Sequence, residues 1–199
     1  MSGPCGGASR GGSDLGPIAE YLEVEGGLVL RAPSLDDAAI LFAEVDKNRV
    51  YLRDWLPWLD RTMTAEDEAS FLLTAIEDRA AGKAALWLIL ENGELVGTLS
   101  LNWIDEQNRG CAVGYWLSEE MTGRGIITRS CERLMQHCLE DVGFHRLVLE
   151  AAVENRGSRA IAERLGMRQE GVHKDREWLY DHWVDSALYA ITAMEWKSS

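Results

Sequence analysis

Trp116-Leu117-Ser118-Glu119-Glu120-Met121-Thr122-Gly123-Arg124-Gly125-Ile126-Ile127-Thr128 is the stretch whose reading decides the fold. Before it, Cys111 to Leu117 has the apolar character of a strand. After it, Ile127, Cys131, Leu134, Met135, Cys138 and Val142 recur at helical spacing, which predicts a helix over 125–142. The segment is therefore a strand end, a glycine turn and a helix start. Backbone N–H groups left free at a helix start, with the positive end of its dipole, make an anion site. Glycines let backbone approach an anion with no Cβ in the way, and a pyrophosphate is the natural guest. No Lys-Ser/Thr follows these glycines and no Gly-x-Gly-x-x-Gly is present, so the nucleotide P-loop and the dinucleotide fingerprint both fail. A lone Gly-x-Gly could equally be an ordinary strand–turn–helix connection.

Working outward, Ala84 to Leu90 and Leu95 to Ile104 read as strands. They flank Asn92-Gly93, a strong hairpin signal, and Cys111 to Leu117 completes an antiparallel meander. Upstream, Leu28 to Arg31 is a short strand. Ser34 with Asp37 and Thr64 with Asp67 read as capping boxes that open two helices, and a third short helix runs from Asn48 toward Trp55. Downstream come a strand at Arg146 to Val153, a helix at Asn155 to Leu165 closed by Gly166, and strands at Gln169 to Val172 and Trp183 to Ala193. The implied class is α+β: one sheet carrying helices. Residues 1–20 are Gly- and Ser-rich and read as a disordered tail; residues 21–199 read as one domain.

Composition bounds the function. The 199 residues include 20 Lys and Arg against 33 Asp and Glu, a formal charge of −13. That argues against nucleic acid or an anionic membrane as a main partner and permits a cationic one. Cys5, Cys111, Cys131 and Cys138 form no CxxC pair and have no histidine at ligand spacing, so no metal is expected. Cys131 and Cys138 share a helix face as small core residues. His137, His145, His173 and His182 show no partner spacing. The N-terminus has no apolar signal region, and a cytoplasmic location is expected.

About thirty residues beyond the glycine turn lie Val153-Glu154-Asn155-Arg156-Gly157-Ser158 and then Leu165-Gly166-Met167. With Gly123-Arg124-Gly125, these segments resemble the GNAT (general N-acetyltransferase) superfamily. Asn48-Arg49-Val50-Tyr51-Leu52, Trp55-Leu56-Pro57-Trp58, Gly114-Tyr115-Trp116-Leu117, Glu170-Gly171 and Arg176-Glu177-Trp178-Leu179 bring the chain close to the RimJ/RimL-type branch, which acetylates ribosomal-protein N-termini. The match spans residues 28–193. It departs from the family at Glu120, where the loop's Arg or Gln is expected, at Met167, where Phe is usual, and at Ala162, where many members carry a tyrosine acid.

The resemblance implies an αβα-type domain with a mixed, mostly antiparallel sheet and helices on both faces. It also implies acetyl-CoA as cosubstrate, with its pyrophosphate on Gly123, Arg124, Gly125, Ile126, Ile127 and Thr128. The pantetheine arm is expected to pair with Leu117, Ser118 and Glu119 as an added strand, and a backbone N–H near Trp116 or Leu117 to serve the carbonyl oxygen. Asn155 is assigned to the pantetheine arm, though it also fits a helix N-cap. Ser158 is the implied proton donor to sulfur, against the plain reading of a first-turn serine. Glu177 is the implied general base, against a surface carboxylate paired with Arg176 or Lys174. Trp55, Trp58 and Asn102 are placed at the acceptor cleft.

An α-amine with pKa about 7.8 is roughly 30% neutral at pH 7.4, whereas a lysine near 10.4 is about 0.1% neutral, so an N-terminus asks little of a base. The expected activity is transfer of acetyl to the N-terminal α-amine of a ribosomal protein, as the resemblance implies, and the acidic charge fits such a basic acceptor. The alternatives are an acyl transferase for a small-molecule amine, such as an aminoacylated antibiotic, and a non-catalytic acyl-CoA-binding module. An isologous dimer through the C-terminal strands follows from the resemblance alone.

Overall fold

The apolar run at Ala85–Glu91 alternates between two cores, which is why it is apolar throughout. Ala85, Trp87 and Ile89 face one buried cluster, while Leu86 and Leu88 face another. The computed structural model describes residues 15–197. In it β1 (Tyr21–Val24) and β2 (Leu28–Arg31) form a hairpin turned by Gly26 and Gly27, both at positive φ. The Ser34/Asp37 box opens a single 3-10 turn that leads into α1 (Ala38–Lys47) and then α2 (Arg49–Arg53). The Thr64/Asp67 box opens α3 (Ala65–Ala80). β3 (Ala85–Glu91), β4 (Glu94–Asp105) and β5 (Gly110–Leu117) form the expected meander. Asn92 and Gly93 at φ 52° and 88° make its first turn.

After β5 comes α4 (Ile126–Gln136), which continues as a π-helical turn over His137–Val142, so the expected helical span is kept and its last turn is wider. Then follow β6 (Arg146–Ala152), α5 (Arg156–Arg164), β7 (Arg168–Leu179), β8 (His182–Thr192) and α6 (Ala193–Trp196). The eight strands lie in the order β1-β2-β3-β4-β5-β6-β8-β7. Among the described residues only β5 and β6 run parallel, because α4 crosses over between them. The sheet is mixed and mostly antiparallel, as expected. One face is covered by α4, with Ile126, Ile127, Cys131, Leu134, Met135 and Cys138 against Trp87, Leu99 and Leu147. The other is covered by α1 and α3, with Leu41, Val45 and Leu72 against Leu86, Leu88 and Trp116.

Three readings are corrected. β1 is added: at four residues beside a Gly-rich stretch it carries too short a pattern to see. β7 does not stop at Val172 but runs on through Leu179. Nearly all of it is exposed, so no alternation marks it, and its register shifts between His173 and Glu177 around Asp175, a non-glycine at φ 47°. Residues 15–20, assigned to the tail, pack onto the domain; the rest of that assignment, residues 1–14, lies outside the described residues.

The docked strap satisfies buried groups. Gly16 N–H donates to Val142 O at 2.8 Å, Ala19 N–H to His137 Nε2 at 3.0 Å, and the Trp87 indole N–H to Ala19 O at 3.0 Å. A buried polar group left without a partner costs about 1–3 kcal/mol, and in a domain of this size each kcal/mol moves Tm by about 2–4 °C. A chain truncated through Glu20 is therefore expected to melt roughly 5–10 °C below one truncated through Asp14. Equal melting temperatures would show that the strap contributes nothing.

Candidate active site

β5 and β6 part company after the Val113–Leu149 pair. β5 continues with β4 to Leu117, while β6 continues with β8 to Ala152, and a V-shaped gap opens between them. A cleft of about 1430 Å³ runs through this gap. On the α4 side it is lined by Gly123, Gly125, Ile126, Ile127 and Thr128. Opposite, it is bordered by Trp55, Trp58, Glu68 and Glu177.

At the start of α4, Gly123 and Gly125 adopt φ +74° and +73° with open space around them, so backbone conformation rather than crowding demands glycine. Arg129 N–H returns to Gly125 O at 3.1 Å as the first helical bond. The N–H groups of Ile126, Ile127 and Thr128 therefore lack intrahelical acceptors and open on the cleft. This cradle fits a pyrophosphate. Arg124, expected at the pyrophosphate, is not among the residues that line the cleft, and its guanidinium turns away to Glu91 (2.9 Å) and to the Met121 sulfur (2.8 Å).

In the gap, strand parity decides which backbone groups are free. Ser118 N–H bonds Val96 O at 2.9 Å, so the even positions of β5 face β4. Tyr115 and Leu117 then point their N–H and C=O groups toward the gap. Glu119 N–H is taken by Asn48 Oδ1 at 2.9 Å, and the Ser118 hydroxyl lies between Glu44 Oε1 (2.5 Å) and Val96 O (2.9 Å). The expected pairing edge of Leu117, Ser118 and Glu119 thus shrinks to Leu117 joined by Tyr115. Of the two expected oxygen donors Leu117 remains, because the Trp116 N–H faces β4. Gly97 permits this close pairing, since a Cβ there would strike the Trp116 carbonyl.

Across the gap, the Asn155 Oδ1 accepts from Ser158 N–H at 3.0 Å, so Asn155 is the N-cap of α5. Ser158 lines the cleft, and its hydroxyl has no hydrogen-bond partner among the described residues. The Tyr115 hydroxyl reaches Ser158 O at 3.5 Å, and burial pushes its pKa upward. Asn102 occupies a bulge in β4 and lies against Gly114, where a Cβ would come within 2.5 Å of Asn102 Nδ2. Ser100 Oγ donates to Asn102 Oδ1 at 2.7 Å.

Glu177 stands on β7 opposite Val184 and lines the cleft. Neither suggested partner engages it. Arg176 bonds Glu150 at 2.9 Å and Lys174 bonds Asp185 at 2.5 Å. Burial raises the Glu177 pKa above the ordinary carboxylate value and Glu150 adds to this, while Arg176 opposes it. The hairpin tip that follows is clamped to the tryptophan loop. Tyr180 donates its hydroxyl to Leu56 O at 2.6 Å, and Arg53 lies 3.7 Å over the Tyr180 ring while pairing with Asp60.

Two cleft groups had no usable sequence signal. Tyr115 looks like any strand aromatic. Glu68 sits among Glu66 and Asp67 in the first turn of α3, where acids are favoured by the helix dipole anyway. It is 2% exposed, and burial lifts its pKa to about 7 from 4.5, with Asp67 adding and Arg49 opposing. The folded state then holds the proton more tightly than the unfolded one. This group's stabilising contribution is full below pH 4.5 and is lost as pH rises through about 7, a change on the order of 3 kcal/mol. Glu68→Gln is expected to flatten the fall in Tm between pH 5 and 8. An unaltered slope would show that Glu68 does not titrate in this window.

Among the described residues no group of His, Cys, Asp and Glu could hold a metal ion, and no helix is long and apolar enough to cross a membrane. Residues 27–168 match the acetyltransferase (GNAT) domain model. The chain is 30% identical over 173 residues to the ribosomal-protein-serine acetyltransferase of Escherichia coli K12, covering 87% of this chain and 97% of that one. Among solved structures it is similar to RimL, a ribosomal L7/L12 α-N-protein acetyltransferase in complex with coenzyme A (TM-score 0.84, 31% identity, covering 87% of this chain and 98% of that one). It is also similar to the microcin C7 self-immunity acetyltransferase MccE in complex with acetyl-CoA and AMP (TM-score 0.83, 28% identity, 88% and 97%). A splayed parallel pair, a glycine turn at a helix start and a serine–carboxylate cleft thus coincide with a domain match over most of the chain: this protein belongs to the GNAT acetyltransferase family.

Proposed function

We propose that this acetyl-CoA-dependent acetyltransferase acts on the N-terminal α-amine of a basic protein, of the ribosomal kind that its relatives modify. The observation that carries this reading is Glu177, a cleft carboxylate with no ion-pair partner among the described residues, in the same cleft as Ser158 and the free N–H groups of α4. Bound in the cleft, acetyl-CoA supplies a thioester carbonyl open to attack by an amine. The α4 N–H groups hold the pyrophosphate, and the Tyr115–Leu117 edge of β5 pairs with the pantetheine amides as an added strand. The Asn155 amide, already the cap of α5, reaches the same arm. Leu117 N–H stabilises the carbonyl oxygen as negative charge grows there. Glu177 takes the proton that the amine gives up as its nitrogen bonds the acetyl carbon. Ser158 returns a proton to sulfur, directly or through water, as the carbon–sulfur bond breaks. Trp55, Trp58 and Asn102 border the incoming chain.

The same reading places the enzyme in the cytoplasm. It also makes β7, the sheet's edge, the seam of an isologous dimer, supported by the exposed Trp178 and Trp183, whose rings meet edge to face at 5.2 Å. A panel of unblocked peptides, N-terminally blocked lysine peptides and aminoacyl small molecules tests the acceptor. Unblocked peptides are expected to turn over fastest; turnover confined to small molecules would overturn the assignment.

A further inference from the structure

No step above uses Glu68, and its ionised form costs the fold stability rather than adding to it. Its residue is 2% exposed and lines the cleft, and no hydrogen bond or ion pair to its carboxylate occurs among the described residues. Buried carboxylates are normally paired, because an uncompensated charge away from water is costly. Two charged groups influence it. Asp67, next to it on α3, repels. Arg49 on α2 attracts, but its guanidinium is committed to Asp46 (2.9 Å), Leu59 O (2.6 Å) and Thr62 O (2.7 Å). What exposure Glu68 keeps opens on the cleft, which Tyr51, Trp58 and Phe71 also line. Leu72, one helical turn along α3, packs in the cluster that takes in Trp58 and Tyr51.

A cleft that carries both a carboxylate and aromatic side chains suits a cation, which gains from charge and from ring quadrupoles together. The cosubstrate is an unsuitable guest, being polyanionic, and the cradle that fits its phosphates heads α4, on the opposite face of the sheet from α3. We infer that Glu68, with Tyr51, Trp58 and Phe71, forms a subsite for a lysine or arginine side chain near the N-terminus of the acceptor polypeptide. This rests on the α-amine reading and deepens it: Glu177 serves the reacting amine, and Glu68 receives a second positive charge a few residues along.

The test uses full-length enzyme, acetyl-CoA and unblocked peptides that differ only by lysine or norleucine at residue 2, 3 or 4. At one of these positions wild type is expected to favour lysine at least tenfold in kcat/KM, mainly through KM. The preference is expected to shrink toward pH 6, as the Glu68 carboxyl takes up a proton while lysine stays charged. Glu68→Gln is expected to bring the ratio within twofold of unity. A ratio near one in wild type at every position, a ratio indifferent to pH, or a ratio kept in Glu68→Gln would overturn the subsite while leaving α-amine acetylation standing. Failure of every peptide to react would overturn both.

Discussion

Gly125→Glu is expected to weaken acetyl-CoA binding by at least a hundredfold while leaving the protein folded. Two effects add. Gly125 holds φ +73° at the start of α4, a conformation that costs a residue with a side chain about 1 kcal/mol. The space around it is open, so the new side chain is accommodated, but its carboxylate enters the cradle meant for the pyrophosphate. One negative charge about 5 Å from another costs about 3 kcal/mol at an effective dielectric of 20, and about 1.4 kcal/mol is a tenfold change in Kd. Gly125→Ala separates the two effects, because it carries the backbone cost without the charge and is expected to bind within about tenfold of wild type. Calorimetric titration with acetyl-CoA, read beside the ligand-induced rise in Tm, checks both variants. Micromolar binding by Gly125→Glu would remove the glycine turn as the phosphate site.

Glu177→Gln is expected to lower kcat about a hundredfold at pH 7, with the Kd for acetyl-CoA within twofold of wild type. General-base assistance contributes roughly 10²–10⁴. The lower end is expected here because an α-amine with pKa about 7.8 is partly neutral already. The pH dependence discriminates further. In wild type the rate falls as pH drops, because protonation of Glu177, whose pKa is raised by burial, disables the base. In Glu177→Gln only the amine's own ionisation remains, which both enzymes share, so the gap between them is widest at alkaline pH and narrows toward acid pH, where wild type loses its base. Unchanged turnover at pH 7, or a gap constant with pH, would exclude Glu177 as the proton acceptor.

The two variants probe features of unequal legibility. The glycine turn could be read from residues 116–128 because local rules wrote it: an apolar strand, glycines and a helical period, all within contiguous chain. The capping boxes at Ser34 and Thr64 and the Asn92-Gly93 turn were readable for the same reason. Glu177 could be named only through resemblance, since neighbouring cations offered a surface ion pair as an equal reading. Its isolation became visible when the β7 shift sent Arg176 to Glu150 and Lys174 to Asp185. Glu68 was concealed in a helix start that favours acids wherever the helix points.

By itself, the sequence determined the α+β class, the meander, the glycine turn at a helix start and the family, because short-range periodicity, turn chemistry and contiguous motifs encode them. Tertiary structure alone decided which N–H groups of β5 are free, that residues 15–20 are part of the domain, and which carboxylates face the cleft without a partner. Those properties depend on the parity of strand pairing and on burial by elements tens of residues away. A single residue's hydrogen bonds and charge environment are set by neighbours in space that its neighbours in sequence do not specify.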